Sequence, residues 1–454
     1  MTQEVIGKYT EFISSKLSEK YCYRIIYFIS VILFSISWIN QLIIGPNSFR
    51  LTVSVGALLT IIMLFFVPRE QHYKEYRFNK IYLALILIVG ISYLVNGLYF
   101  RVVGYLAIGV VFSVIVPVFH LSFSKGNRVF LSTAIANGVL TSFVLFTVIA
   151  VLFGPGLSVD QYAAFVKNPN TVGIYMTITI ASSSYLIYKK SYDGGRFYFE
   201  IICMGTAIAM CFFAQSRTSL LAILGEVTFM LVVLIPVYIT KSERHRDFCK
   251  KFIAILLLIC LSTVLLTVAF YYTMTTVKKD IAKIIPNLQI KATYSDDVNL
   301  TTKKIVDLSE SRLSKGIEKK NKDTFTSGRV TIWNDFYTDL SIIGHPQEGK
   351  DIAFKGRVYK STNAHNVYLQ VAYSAGIMAG ISMIILMFIV IKDSFVAFFY
   401  HWKGSLIKPE NVFLILTSIG FFVVSLTSGG YMLYTYCTAT LFWLLLFEFT
   451  VRKE

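Results

Sequence analysis

Two arginines and a histidine occupy positions in this sequence from which they could bind an anion and accept a proton. Arg217 lies in the polar turn QSRTS between two apolar runs, and Arg329 follows SG at the start of an amphipathic stretch. His365 lies in TNAHN, immediately before another apolar run. A guanidinium holds phosphate oxygens through paired hydrogen bonds, and a neutral imidazole can act as a general base. The three residues therefore predict a site for an anionic substrate.

Each residue also has a purely structural interpretation. Arg217 could extend from a helix end towards water, and Arg329 is one of 16 Lys and Arg in the same polar segment. His365 could be a hydrogen-bonded structural histidine, as His345 and His120 are expected to be. Its functional interpretation assumes that Asn363 caps the following helix. His365 would then lie in the first turn, where the helix dipole lowers the imidazole pKa.

The composition indicates a membrane protein. Hydrophobic residues make up 55% of the 454 residues, charged residues make up 15%, and the mean hydropathy is +0.62. These values exclude an ordinary soluble protein. The net charge of +17 is better explained by Lys and Arg retained in cytoplasmic loops than by binding to nucleic acid. Six scattered cysteines show no spacing typical of metal ligands or disulfides, so we expect no metal and no cofactor.

Twelve apolar runs approach the length of about 20 residues that a membrane-spanning helix requires. The sequence thus predicts an all-α polytopic membrane protein, with transmembrane helices in 1–275, an extracytoplasmic loop domain in 276–364, and further transmembrane helices in 365–454. The runs lie near residues 25–44, 51–67, 81–100, 102–121, 129–153, 171–188, 197–215, 218–240, 252–275, 366–391, 411–430 and 432–450.

The distribution of positive charge predicts that both termini are cytoplasmic. With that orientation the inner segments hold 23 Lys and Arg, and the short outer segments hold four. This asymmetry fits the positive-inside rule. The one large outer segment, 276–364, holds 16 Lys and Arg against eleven Asp and Glu, so it presents a basic surface to an anionic partner.

The outer segment contains two helical patterns. Residues 295–322 are highly charged and predict a solvated helical arm. From Val330 to Leu340, apolar residues recur on one helical face, which predicts a short amphipathic helix lying on the outer membrane surface. Ser327 is a natural N-cap for this helix, and Gly344 is a natural terminator.

Several short motifs follow one another between about residue 165 and 380. They are NPN at Asn168–Asn170, SRT at Ser216–Thr218, GRVTIW with Gly328, Arg329 and Trp333, GHPQEG at Gly344–Gly349, AHNVYLQ with His365 and Asn366, and the later Gly376. In this order, the motifs resemble the signature of the O-antigen ligase family of membrane glycosyltransferases. The twelve-span layout extends the resemblance to nearly the whole chain.

The resemblance implies a GT-C-like, metal-independent enzyme of the cytoplasmic (inner) membrane. Its donor would be a glycan carried on undecaprenyl pyrophosphate, and its acceptor another glycan or lipid-linked glycan. Arg217 and Arg329 would hold the pyrophosphate, and His365 would act on the acceptor hydroxyl in a direct, inverting displacement. Supporting residues in these motifs would be Ser216, Gly328, Trp333, Asn363 and Asn366.

The family includes two activities that the motifs do not separate. A polymerase passes the growing chain to another lipid-linked repeat unit, whereas a ligase passes finished glycan to an acceptor such as lipid A core. We favour the polymerase, which could work with other polysaccharide-assembly proteins. A polysaccharide transporter or flippase is a more distant alternative. Such proteins often carry intramembrane charges and two related halves, whereas few charges fall within the spans here: Glu200, Glu226 and Glu448.

Overall fold

A computed structural model of the chain shows a bundle of helices with three short antiparallel strand pairs among the described residues. The structure describes residues 16–43, 49–66, 76–123, 128–152, 157–158, 161–162, 164, 166, 168–190, 195–241, 245–272, 329–354, 357–402, 408–428 and 436–453. Ser327, Gly328 and the charged arm 295–322 lie outside these ranges.

The first part of the chain is built from long apolar helices. They are α1 (Glu19–Ile43), α2 (Phe49–Phe65), α3 (Lys80–Tyr99), α4 (Val103–Val110), α5 (Val116–Phe123), α6 (Arg128–Leu152), α7 (Pro169–Lys190), α8 (Gly195–Ala214), α9 (Arg217–Lys241) and α10 (His245–Tyr272). A π-helical turn, Val111–Ile115, joins α4 to α5. Pro117 explains this turn, because it has no N–H group to donate to the preceding turn.

In its described ranges, the second part of the chain contains one long helix, several shorter helices and a β-hairpin. The helices are α11 (Arg329–Tyr337), α12 (Val367–Ala375), the long α13 (Ile377–Trp402), α14 (Pro409–Ser425), α15 (Cys437–Leu445) and α16 (Phe447–Thr450). The strand pairs are β1 (Tyr76–Phe78) with β6 (Val451–Lys453), β2 (Leu157–Ser158) with β3 (Gln161–Tyr162), and β4 (Lys350–Phe354) with β5 (Arg357–Thr362). The all-α prediction did not include these short strand pairs.

Six helices among the described residues are long and apolar enough to cross a membrane, and four shorter apolar helices accompany them. Each of the twelve predicted runs overlaps helical residues. The protein is therefore an all-α membrane protein in its main architecture, and the number of twelve crossings stays a prediction. The six long spans are Glu19–Ile39, Lys80–Tyr99, Val103–His120, Val129–Ala150, Phe197–Ala214 and Ile377–Phe399.

Helix α7 lies at the centre of the bundle and contacts α6, α8, α9 and α14. It is buried almost throughout, including the hydroxyl-bearing segment from Thr177 to Tyr185. A helix that is buried on every side is typical of a bundle core. The first turn of α7 is packed against the start of α9, and this contact helps to position the site described below.

The prediction that the tenth span is one continuous helix is wrong, because the helix is interrupted at Gly376, between α12 and α13. Gly376 has φ +98°, and a Cβ there would overlap the carbonyl oxygen of Ile342. The next residue, Ile377, donates its N–H to the carbonyl oxygen of Ser341 at 3.1 Å. The loop before β4 thus passes directly over the interruption between α12 and α13. Only glycine fits both the positive φ at position 376 and the close approach of that loop.

The expectation that the amphipathic helix rests on the membrane is also wrong for its main apolar face. Phe336 of α11 is fully buried and packs against the protein, in a small cluster with Ile352, Ala364 and Tyr373. Tyr337, predicted on the same face, is 71% exposed. The apolar pattern was correct for a helix, but it did not reveal that β4 and α12 would cover that face.

Candidate functional site

Arg217 is the first residue of α9, and two features fix the start of that helix. The preceding Gln215 has φ +49°, which turns the chain sharply out of α8. Ser216 is buried, and its hydroxyl lies 2.9 Å from that of Ser219, so the first turn is closed by side chains. A Cβ at Gly173 of α7 would meet both serines, which shows how closely the two helices approach.

Arg329 is the first described residue of α11 and lies within electrostatic range of Arg217. Burial lowers the pKa of its guanidinium, and the positive charge of Arg217 lowers it further. Two arginines that are distant in sequence are thus neighbours in space, and each begins a helix. Helix N-termini carry partial positive charge and free N–H groups, so both helices add to the same positive potential.

His365 lies just before α12 rather than in its first turn. Its φ is +47°, and its backbone N–H donates to Oδ1 of Asn363 at 3.0 Å in a tight turn. The N-cap of α12 is Asn366, whose Oδ1 accepts the N–H of Leu369 at 3.0 Å. The prediction that Asn363 caps this helix is therefore wrong, and the left-handed turn holds the imidazole outside the helix.

The pKa of His365 is lowered, as expected, but the main causes differ from the predicted one. Burial contributes most, and the positive charge of Arg329 contributes next. Both effects disfavour the imidazolium. The histidine is therefore neutral at pH 7 because of its neighbours, and it lies in the same electrostatic environment as the two arginines.

Gln370 organises the backbone around His365, a role that the sequence did not reveal. Its buried amide oxygen accepts the N–H of Ala364 at 2.8 Å. Its amide nitrogen donates to the carbonyl oxygen of Glu348 at 2.7 Å and to the hydroxyl of Ser374 at 2.9 Å. One side chain of α12 thus ties the turn that carries His365 to the loop that precedes β4.

The end of α14 connects the helix of Arg217 to the helix that follows His365. Thr427 donates to the hydroxyl of Thr218 at 2.7 Å, next to Arg217. Two contacts join the same helix end to α12: Asn366 donates to the carbonyl oxygen of Leu426 at 3.4 Å, and the hydroxyls of Tyr368 and Ser425 lie 2.8 Å apart. The starts of α9 and α12 therefore lie at one end of the bundle, which we call the site end.

A buried asparagine from α3 fixes the loop of the GHPQEG motif. The amide nitrogen of Asn96 donates to the carbonyl oxygens of Ile343 at 3.0 Å, His345 at 3.3 Å and Ser374 at 2.7 Å. Gly344 lies against this amide with φ +93°. The ring of His345 stacks on Tyr373 at 4.2 Å, in agreement with its structural interpretation.

Further residues from the sequence motifs are Trp333, Asn168 and Gly328. Trp333 lies one turn after Arg329, and its buried indole nitrogen has no hydrogen-bond partner in the part of the chain that the structure describes. Asn168 accepts the N–H of Asn170 at 2.9 Å and so forms the predicted turn before α7. Gly328 lies outside the described residues. Within the described ranges, no group of three His, Cys, Asp or Glu side chains could hold a metal ion.

Residues 202–384 match the family model described as O-antigen ligase. The matched region runs from α8 into α13 and includes Arg217, Arg329 and His365. No curated protein matches the chain. The match confirms the family resemblance that the sequence motifs indicated, and it covers Arg217, Arg329 and His365 but not the end of α14.

Proposed function

We propose, from the O-antigen ligase domain that residues 202–384 carry, that this membrane enzyme is a surface polysaccharide polymerase. It extends a glycan held on undecaprenyl pyrophosphate by transferring that glycan to another lipid-linked repeat unit. The reaction takes place on the outer face of the cytoplasmic membrane, and it requires no metal ion. The fold would be of the GT-C type, with twelve spans and both termini in the cytoplasm.

The observation that carries this proposal is the pairing of Arg217 and Arg329 beside a neutral histidine. Two neighbouring guanidinium groups repel each other, and a bound dianion such as pyrophosphate would remove that repulsion. The neutral His365 next to them can accept a proton, which a purely structural anion site would not need. An anion-binding pair combined with a base suits the departure of a phosphate leaving group.

In this reaction the acceptor hydroxyl attacks the anomeric carbon of the donor sugar. A new carbon–oxygen bond forms as the bond between that carbon and the pyrophosphate breaks, and the lipid pyrophosphate leaves with the electron pair. His365 accepts the hydroxyl proton, and Arg217 and Arg329 stabilise the charge that develops on the departing oxygen. One displacement without a covalent intermediate inverts the anomeric configuration.

A ligase that passes finished glycan to lipid A core, or to another envelope acceptor, is the second candidate. The same three side chains would serve its chemistry, because donor and leaving group are unchanged. The two activities differ only in what occupies the acceptor side of the site. The experiment that follows is therefore chosen to separate them.

The test is the profile of lipid-linked glycans in cells that lack this gene. A polymerase leaves single repeat units on the carrier, whereas a ligase leaves full-length chains there. Complementation with wild type should restore the normal profile, and Arg217→Ala, Arg329→Ala and His365→Ala should not. Tyr337→Ala, an exposed change in the helix of Arg329, is the matched control and should restore it.

Three results would reject the proposal. An unchanged glycan profile in the deletion strain would exclude both transferase activities. Full rescue by all three site variants, with each protein present in the membrane at wild-type level, would favour a structural partner of the assembly machinery. Lipid-linked glycan trapped on the cytoplasmic side would indicate a flippase.

A further inference from the structure

Glu348 is an acidic residue at the site end that the proposed mechanism does not use. It belongs to the loop between α11 and β4, and its side chain is exposed. The surrounding protein still removes enough water to raise the pKa of its carboxyl. Among the described residues, no Lys or Arg forms an ion pair with it. An acid with no ion-pair partner among the described residues, in a basic outer segment, calls for an explanation.

Gln370 joins the backbone of Glu348 to the turn that carries His365. The amide group of that side chain holds the carbonyl oxygen of Glu348 and the backbone N–H of Ala364, which directly precedes His365. Both hydrogen bonds are shorter than 3 Å, and Ala364 is adjacent to His365, the proposed base. The loop of Glu348 and the turn of His365 therefore form one rigid unit.

Two tyrosines share the surroundings of Glu348. Its negative charge acts on the phenol groups of Tyr105, near the start of α4, and Tyr436, the N-cap of α15. The charge of Arg217, by contrast, acts on Arg329, and that of Arg329 acts on His365. The site end thus has a cationic part with the arginines and a separate part with a carboxylate and phenols.

We propose that Glu348 binds the acceptor: its carboxylate accepts hydrogen bonds from hydroxyl groups of the acceptor's terminal sugar. This inference rests on the proposed function and deepens it. An ionised carboxylate only accepts hydrogen bonds, and a sugar supplies several neighbouring O–H donors. Tyr436, which is partly exposed, adds a phenol and a ring face to the same subsite.

The charge of Glu348 argues against a role in holding the donor's leaving group. A carboxylate next to a pyrophosphate dianion would repel it and would oppose the two arginines. A neutral glycan carries no such penalty. Because His365 must reach the acceptor hydroxyl, and because Gln370 joins the Glu348 loop to the His365 turn, the acceptor is the glycan within reach of this carboxylate.

The test separates donor from acceptor with two synthetic substrates and purified full-length protein in lipid nanodiscs. The donor is a repeat unit on undecaprenyl pyrophosphate whose terminal acceptor hydroxyl is methylated, so it cannot accept. The acceptor is the same repeat unit as an alkyl glycoside, so it cannot donate. Initial rates at varied concentrations give KM for each substrate and kcat.

We expect Glu348→Gln to raise the acceptor KM by about 10- to 100-fold, because charge-assisted hydrogen bonds are replaced by weaker neutral ones. The donor KM should stay within about twofold of wild type. The acceptor KM of Glu348→Asp should lie between those of wild type and Glu348→Gln, since aspartate keeps the charge on a shorter side chain. Asp351→Asn, an exposed acid three residues later, is the matched control and should change neither constant.

The outcomes are distinguishable. An unchanged acceptor KM in Glu348→Gln, or an equal rise in both KM values, overturns the assignment of Glu348 while the proposed function stands. A wild-type protein that transfers to no acceptor overturns the proposed function and this inference with it. A thermal melting curve for each variant separates loss of the fold from loss of binding. If Glu348→Gln does not fold, the acceptor KM of Glu348→Asp decides the question.

Discussion

Arg217 and Arg329 are an unfavourable pair in the protein without substrate. Burial and mutual repulsion both lower the pKa of Arg329, so the fold works against keeping that guanidinium charged. Like charges in a partly buried site destabilise the folded state until an opposite charge binds. Such residues exchange stability for function, and this exchange can be measured directly.

Removing one charge of this pair should make the ligand-free protein more stable. We expect Arg329→Gln to raise the melting temperature by about 1–3 °C, because the repulsion from Arg217 disappears. The same variant should lose the stabilisation that farnesyl pyrophosphate gives to wild type, since ligand binding to the folded state is what raises the melting temperature. Differential scanning fluorimetry in detergent, with and without the pyrophosphate, measures both effects.

Arg329→Lys keeps the charge and serves as the control, with no rise in melting temperature expected for the ligand-free protein. A lower melting temperature for Arg329→Gln, together with undiminished stabilisation by farnesyl pyrophosphate, would contradict the assignment of this arginine to an anion site.

The lowered pKa of His365 predicts an unusual acid limit for activity. Burial and the charge of Arg329 hold the pKa below 6.5, so the imidazole stays neutral and able to accept a proton into more acidic solution. The kcat/KM profile should therefore fall with a midpoint below pH 6.5. In Arg329→Gln one of the two causes is absent, so the midpoint of its residual activity should move to higher pH.

Profiles of kcat/KM from about pH 5 to 8 would test this shift. A midpoint that stays in place, or moves to lower pH, in Arg329→Gln would mean that His365 is not the group that titrates.

The sequence revealed the chemistry of single residues better than their local geometry. Arg217, Arg329 and His365 stood out by type and by position at the edges of apolar runs. TNAHN, however, offers Asn363 and Asn366 as alternative caps, and both are chemically suitable. Asn366 is the cap, and its side chain also donates to the carbonyl oxygen of Leu426, just after α14. A pattern along the chain contains no information about that contact. The role proposed for Glu348 depends on tertiary neighbours in the same way.

At the scale of elements, the break between α12 and α13 determines where His365 lies. The apolar run from Val367 onwards contains no proline, so its pattern predicts one continuous helix. The break arises because the segment Ser341–Ile343 passes across it and takes up the N–H of Ile377. The β4–β5 hairpin was missed for a related reason, since its apolar residues are few and its stability comes from packing on α11.

Replacement of the glycine at the break should be far more damaging than replacement of a glycine in open space. Gly376→Ala places a side chain at φ +98° and against the carbonyl oxygen of Ile342. We expect it to cost at least about 2 kcal/mol of stability and to remove most activity, because α12 and His365 must shift.

Gly104→Ala is the matched control, since a Cβ there has no neighbour within 4 Å. It should leave the melting temperature and the activity nearly unchanged. Thermal melting and transfer rates of the two variants measured in parallel provide the comparison. Equal behaviour of the two variants would show that the break does not position the site.

At the scale of the whole molecule, the charge distribution predicts an orientation that remains to be tested. Tyr337→Cys, in the outer segment, should react with a membrane-impermeant maleimide in intact spheroplasts. Lys408→Cys, exposed before α14, should react only after the membrane is opened. Labelling of both positions from outside, or of Lys408→Cys alone, would reject the proposed topology.

The sequence predicted the class of molecule and the approximate position of its helices, because long apolar runs leave few alternatives. The number of crossings is a different matter. Several apolar helices, such as α14 and α15, are shorter than a bilayer is thick. Whether each of them spans the membrane depends on tilt and on neighbouring helices, which hydropathy does not contain.

The closeness of Arg217 and Arg329 has one further consequence, for the pace of turnover. In the proposed reaction, the carrier keeps both phosphates when the sugar departs and gains an ionisable oxygen at the point of cleavage. Spent carrier would therefore be more negatively charged than loaded carrier, and the same two arginines would hold it at least as firmly. The slow step of each cycle would then be its exit into the bilayer. The supply of finished polysaccharide would depend on how quickly the cell collects empty carriers for reloading.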